Sequence, residues 1–194
     1  MPILKMSKTE SIRGYGSIPD VPALRTERLD LLPVTLPFVE AVLSADRAGA
    51  EAICGARLPV AWPGPDLIAR AFHPSLEAIR ADPACRLWGD TLLVTRGGDR
   101  RVVGSVIFHG RPDNGVAEVG YGVDEAEQRQ GYASEATRAC VEWALTQPAI
   151  DAVAAVTFPW HVASLRVIER CGMTRAGSRE HPYLGEMLVF ERRR

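Results

Sequence analysis

The sequence predicts a mixed α/β domain built around one sheet, and three observations carry that expectation. Alternating segments between residues 86 and 123 are joined by short Gly-, Asp- and Asn-containing turns, which predicts an antiparallel meander. The apolar period then becomes helical, with Ala133, Ala136, Cys140 and Ala144 on one face. A continuously apolar run, "DAVAAVTFP" (151–159), follows and fits a strand buried on both faces.

Taken in order, residues 1–22 are Gly- and Pro-punctuated without apolar period and predict a flexible tail. Residues 23–194 are expected to form a single domain. "LRTERLDLLPV" (24–34) alternates up to Pro33 and gives a first strand. "LPFVEAVLSADRAGAEAICGARL" (36–58) has helical spacing interrupted at 44–46 and Gly55, so one broken helix or two short ones. "PVAWPGPD" is a loop whose Asp66 is the expected cap of a helix over 67–81, bent or broken at Pro74. The meander follows as "RLWGDTLLVTR", "RRVVGSVIFHG" and "GVAEVGYGV". After the long helix and the buried strand, "HVASLRVIERCG" predicts a short helix with Gly172 just past its end. "MTRAG" and "EMLVFER" supply two last strands.

Composition excludes several function classes. The 194 residues carry a formal net charge of −1, with 46% hydrophobic and 24% charged residues, so the molecular field favours neither nucleic acid nor an anionic membrane. No apolar run reaches the ~20 residues of a membrane span, and the polar start lacks a signal-peptide core. Cys54, Cys85, Cys140 and Cys171 are too scattered for a disulfide frame or a metal site. They predict reduced thiols, a cytoplasmic setting and no metal.

Chemistry concentrates in "YGVDEAEQRQGYASEA", where a strand runs through a polar turn into a helix. The first N–H groups of a helix lack intrahelical partners and sit at the positive end of a dipole worth roughly half a charge. Small residues at Gly131 and Ala133 let an anion approach that backbone, while Ser134 offers a hydroxyl and Arg129 a positive charge. The pattern Q/R-x-x-G-x-G/A arises by chance in roughly one chain in five of this length, so the motif alone decides little. The preceding strand adds weight. Alternation places Glu118, Gly120 and Gly122 on one face, leaving bare backbone beside one carboxylate. Such glycines weaken a strand unless a ligand lies against them or they serve a bulge or close helix packing.

With these residues in view, the stretch from residue 24 to the C-terminus resembles the GNAT superfamily of acetyl-CoA-dependent N-acyltransferases. It is most similar to the branch of ribosomal-protein N-terminal alanine and serine acetyltransferases. The resemblance rests on "TERLDL", "AEVGYGVDEAEQRQGYASEA" and "HVASLRVIERCGM", in that order. It implies a mostly antiparallel sheet, splayed between "VAEVGYGV" and "DAVAAVTFP" and flanked by helices. It further implies acetyl-CoA as co-substrate. The pyrophosphate would rest on the amides of Arg129, Gln130, Gly131, Tyr132, Ala133 and Ser134, and the pantetheine arm would pair with backbone at Val123, Asp124 and Glu125. The family usually carries Asn where this chain has His161. His161 therefore reads either as a donor to the cofactor arm or as a surface residue opening a helix.

Acetyl transfer to nitrogen needs a neutral amine, an oxyanion donor and a proton for the departing thiolate. Glu118 is the candidate base, acting through water, with a structural carboxylate as the other reading. The N–H of Gly122 or Val123 is the candidate donor to the thioester carbonyl. Ser164, matching the family's serine, and Tyr183 are candidate acids. Trp62, His73, Trp88 and Trp160 are candidates to line the acceptor site, or core aromatics. The expected acceptor is a peptide or small-molecule primary amine, bound by a monomer or homodimer. A non-catalytic acyl-CoA sensor or assembly module is the alternative.

Overall fold

The chain alternates short apolar strands with helices whose buried stripes face them, and the computed structural model describes residues 23–194 of it. The expected tail at 1–22 lies outside the described residues. The first strand divides into β1 (Leu24–Arg25) and β2 (Leu29–Pro33) around the turn at Thr26. Two short helices follow, α1 (Leu36–Leu43) and α2 (Arg47–Cys54), parted at 44–46 as the sequence suggests. Asp46 caps α2 by accepting from Gly49 N at 2.9 Å. The next helix departs from expectation at its cap, and at Pro74 it is irregular rather than broken. Its cap is Gly64, with Pro65 first inside, so Asp66 lies in the first turn of α3 (Pro65–Leu67). No break occurs at Pro74. A π turn over Ile68–Phe72 leads into α4 (His73–Ala81), with His73 N donating to Ile68 O. The wider turn absorbs the hydrogen bond that proline cannot make.

The meander is β3 (Asp90–Thr95), β4 (Val102–Phe108) and β5 (Val116–Val123), followed by α5 (Tyr132–Thr146), β6 (Ala152–Thr157) and α6 (Val162–Arg170). The last hairpin, β7 (Thr174–His181) and β8 (Gly185–Arg193), reaches further than its apolar residues alone predict. The eight strands form one sheet in the order β1-β2-β3-β4-β5-β6-β8-β7, antiparallel throughout except for β5 and β6.

That parallel pair positions the site. β5 and β6 pair only from Val116 to Glu118, opposite Ala152 to Ala154. Beyond it, β5 stays with β4 through Val123 while β6 continues with β8 through Thr157. The two strands part into a V, as the splayed-sheet expectation requires. Two cores pack against the sheet. One packs Val119, Ala136, Cys140, Val153 and Ile168 between the sheet and α5 and α6. The other packs Leu32, Phe38, Val39, Leu92 and Ile79 beneath α1, α2 and α4. Each large apolar side chain removed from water this way contributes about 1.5–3 kcal/mol. No helix among the described residues is long and apolar enough to cross a membrane.

Candidate active site

The turn between β5 and α5 is shaped by backbone conformation. Arg129 (φ 62°) and Gly131 (φ 85°) both adopt left-handed geometry, and Gly131 is the residue before α5. No side chain caps the helix, so the N–H groups of Tyr132, Ala133 and Ser134 are left for an external acceptor. A left-handed residue followed by helical ones turns successive N–H groups into one concavity, a geometry that binds anions.

Ion pairs brace this turn from two sides. Glu135, in the first turn of α5, accepts from Thr26 Oγ1 (2.6 Å), Arg28 N (2.9 Å) and Arg28 Nε (2.7 Å). Arg28 also donates to Gln130 O at 2.9 Å and lies 4.8 Å from the centre of the Tyr132 ring. Burial by itself would raise the Glu135 carboxyl, but the bonds from Thr26 and Arg28 outweigh it and hold the group below its ordinary range. On the other flank, Arg101 grips Glu127 through Nε and Nη2 (2.6 and 3.2 Å), and Gln130 Nε2 donates to Glu127 at 2.9 Å. The "TERLDL" segment is thus the structural partner of the glycine turn.

Register settles which backbone groups face the V. His109 N donates to Glu118 O, and Asp124 N donates to Val103 O, each at 2.9 Å. Antiparallel alternation between those points turns Gly120 and Gly122 toward β4, and Tyr121 and Val123 toward the gap. Of the two candidate donors, Val123 presents its N–H to the opening. Its carbonyl accepts from Gln128 Nε2 at 3.2 Å.

A cavity of about 560 Å³ joins the turn to α6. Val123, Arg129, Gly131, Tyr132, Ala133, Ser134, His161 and Ser164 all line it, with Tyr121, Arg166 and Arg170. Ser164 is buried, and its Oγ lies 2.8 Å from Tyr121 Oη, which also donates to Ser164 O at 3.0 Å. Burial pushes the Tyr121 hydroxyl up to about 12. Alternation puts Tyr121 on the face of Ala117 and Val119, opposite Glu118. The V leaves its hydroxyl spanning from β5 to α6, a role that only the splay reveals. His161 precedes α6, exposed, and makes no side-chain cap.

Other predicted residues lie apart from this cavity. Asp124 and Glu125 line a second one, of about 800 Å³, with Arg47, Leu58 and Arg101. Gln130 turns its side chain to Glu127. Tyr183 stands in the turn between β7 and β8, 91% exposed, with its ring beside His181. Of the two readings of Trp88, the core one holds, because it is buried against Phe108 and Trp143. Trp62 packs on Phe38 and Phe72, His73 is exposed on α4, and Trp160 is exposed and stacked on Phe158.

The opposite face of the sheet holds Glu118. Its carboxylate takes both Nη groups of Arg179 at 3.1 Å and lies 3.3 Å from His109 Nδ1. His109 first, then Arg179, holds the Glu118 carboxyl down at about 2. Glu118 in turn raises the His109 imidazole above its ordinary value. The glycine strip is only half bare. A Cβ on Gly120 would stand 2.9 Å from His109 Nε2, whereas one on Gly122 would meet nothing within 4 Å. His109 is the residue that the sequence reading passed over. Its signal was the short "RPDNG" turn, which folds "FHG" back against "AEVG".

Comparison with known proteins agrees with this geometry. A family model described as an acetyltransferase (GNAT) domain matches residues 43–174. The uncharacterized N-acetyltransferase YjdG of Bacillus subtilis (strain 168) is 25% identical over 150 residues, spanning 77% of this chain and 88% of that protein. Among solved structures, a ribosomal-protein-S5-alanine acetyltransferase from Vibrio fischeri has a TM-score of 0.61 at 16% identity, covering 90% of this chain and 97% of that one. RimL, a ribosomal L7/L12 alpha-N-protein acetyltransferase in complex with coenzyme A, has a TM-score of 0.59 at 16% identity, covering 87% and 95%. At such identities the structural likeness shows a common fold.

Proposed function

The chain belongs to the GNAT acetyltransferase family, and from that premise we propose that it moves the acetyl group of acetyl-CoA to a primary amine by direct transfer in a ternary complex. One observation carries this reading. A single cavity connects the uncapped N-terminus of α5 to the end of β5 and to α6, past the point where β5 has parted from β6. That arrangement suits a ligand with a phosphorylated head and a narrow arm ending in an acyl group. RimL, with the same fold, has been solved with coenzyme A.

In this reading the amides of Tyr132 to Ser134 take the pyrophosphate, and Arg129, Arg166 and Arg170 balance its charge. The arm lies along β5, where Val123 N–H points at the thioester carbonyl and steadies the oxyanion that forms there. The amine nitrogen bonds to the carbonyl carbon, the C–S bond breaks, and the thiolate leaves toward Tyr121 and Ser164. A thiol titrates near 8.5 and the Tyr121 hydroxyl near 12. The Tyr121–Ser164 pair therefore stays protonated; one hydroxyl turns from its present partner to donate a hydrogen bond to the sulfur, which takes its proton from the attacking nitrogen. Tyr183, at the exposed hairpin turn, is better placed to meet the acceptor than the sulfur.

The acceptor, a peptide N-terminus or a small-molecule amine, enters over Gly122 from the face of Glu118. An acyl-CoA sensor would have no use for the charged cluster of His109, Glu118 and Arg179 beside that open strip, which favours turnover over binding alone. The test is acetyl-CoA consumption against alanine- and serine-initiated peptides and small amines. Calorimetric binding of acetyl-CoA without turnover of any amine would leave the sensor reading standing.

A further inference from the structure

We propose that His109 is the group that accepts the amine proton, and that Glu118, clamped by Arg179, is the positioning residue that orients it. This deepens the acetyl-transfer reading above and rests on it. The argument begins with geometry. His109 leaves β4 directly opposite Glu118, and His109 N donates to Glu118 O. Both side chains therefore stand on the face that also presents Gly120 and the open backbone at Gly122. Nδ1 faces the carboxylate at 3.3 Å, so a neutral imidazole carries its hydrogen there and keeps the lone pair on Nε2. Nε2 lies over Gly120, where an added Cβ would stand 2.9 Å from it and push the ring aside. The glycine is the seat of the ring.

Charge distribution then separates the two candidates. Glu118 spends its oxygens on Arg179 and His109 and is held at about 2. A carboxylate that weak is a poor acceptor for an ammonium proton near neutral pH. The imidazole is raised into a better range for the task, first by its bond to Glu118 and against some desolvation. The groups facing it are Glu118 from β5, Asp90 from β3 and Arg179 from β7. Asp90 and Glu118 favour the charged ring, and Arg179 opposes it. The proton leaves the ammonium for Nε2 and passes on to water, and the neutral amine attacks the thioester. As the C–S bond breaks, the nitrogen's second proton goes to the departing thiolate, giving the amide and the thiol.

The sign of the pH dependence follows. Only neutral His109 accepts a proton, so turnover rises with pH through a limb above the ordinary histidine value near 6.5. Glu118→Gln removes the raising partner and leaves Arg179, so that limb moves to lower pH. A direct Glu118 base would instead lose activity at every pH without moving a limb. The experiment measures kcat/KM from pH 5 to 9 with acetyl-CoA and an alanine-initiated peptide, for wild type, His109→Gln, His109→Ala and Glu118→Gln. His109→Gln should lose about 10²–10⁴-fold with unchanged acetyl-CoA affinity, added imidazole should partly restore His109→Ala, and Glu118→Gln should shift the limb downward. Wild-type turnover in His109→Gln near pH 7 overturns the proposal. If wild type acetylates no amine, the acetyl-transfer reading fails by itself. NMR titration of the His109 ring still decides the pairing, because a titration identical in wild type and Glu118→Gln refutes it.

Discussion

Replacing Glu135 with alanine should loosen the anion cradle from behind, without touching any residue that faces the ligand. The carboxylate accepts from Thr26 Oγ1, Arg28 N and Arg28 Nε, and its side chain is 18% exposed. A bond to a charged group contributes about 1.5–3 kcal/mol. Arg28 is 45% exposed and regains water when released, and Thr26 keeps its exchange with Leu29, so the net loss should be about 1–2 kcal/mol. In a domain of this size each kcal/mol moves Tm by about 2–4 °C, giving a fall of roughly 2–8 °C by circular dichroism. Arg28 also holds Gln130 O, one residue before Gly131. Its release should therefore raise the calorimetric Kd for acetyl-CoA about tenfold, equivalent to about 1.4 kcal/mol. The carboxyl is depressed in the folded state, so this stabilisation is present above the unfolded value near 4.3 and fades as pH falls through the folded one. The stability curves of wild type and variant should converge in acid. An unchanged Tm would show that the brace contributes nothing, and a lowered Tm with unchanged Kd would sever it from the cradle.

Other substitutions test separate parts of the same reading. Gly131→Asp forces a side chain into left-handed geometry at about 1–2 kcal/mol and sets a carboxylate among the amides. The folded variant should show no heat of acetyl-CoA binding, and wild-type affinity would place the anion site elsewhere. Tyr121→Phe deletes the hydroxyl bonded to Ser164 and should lower kcat while leaving acetyl-CoA affinity intact; unchanged kcat would remove the pair from sulfur departure. Trp88→Ala empties the cluster with Phe108 and Trp143 and should cost about 3–5 kcal/mol in urea unfolding. A loss below about 1 kcal/mol would contradict its place in the core.

What could be read in advance was local. The meander was legible because Gly97, Gly110, Asn114 and Gly115 stand at positive φ, where turn residues are required. The break between α1 and α2 was legible because Asp46 is a strong cap. The turn at Gly131 announced itself through small residues before a helix. What escaped depends on contacts far apart in sequence. Arg28 and Glu135 are separated by 107 positions, and neither betrays the other. The polar residues of β7 give no strand period, since both of its faces are largely exposed. Alternation separates Tyr121 from Glu118 by face, yet cannot show that the sheet opens beside it.

In the proposed reaction, the two halves of the chemistry divide along one strand because of that opening. Beside β4, the backbone of Gly120 and Gly122 is consumed by the ladder, so these residues contribute only the absence of side chains. Gly120 seats His109, and Gly122 leaves a path. Tyr121 and Val123, turned the other way, have lost β6 as a partner. Their N–H groups are thereby available to a molecule entering the V. A continuous sheet would have bonded those amides to the next strand, and a strand without glycine would have closed the other face. The splay after Glu118 and the glycines at alternate positions must therefore occur together. Either alone would give a route for the acyl donor or for the amine, but no point at which the two could meet.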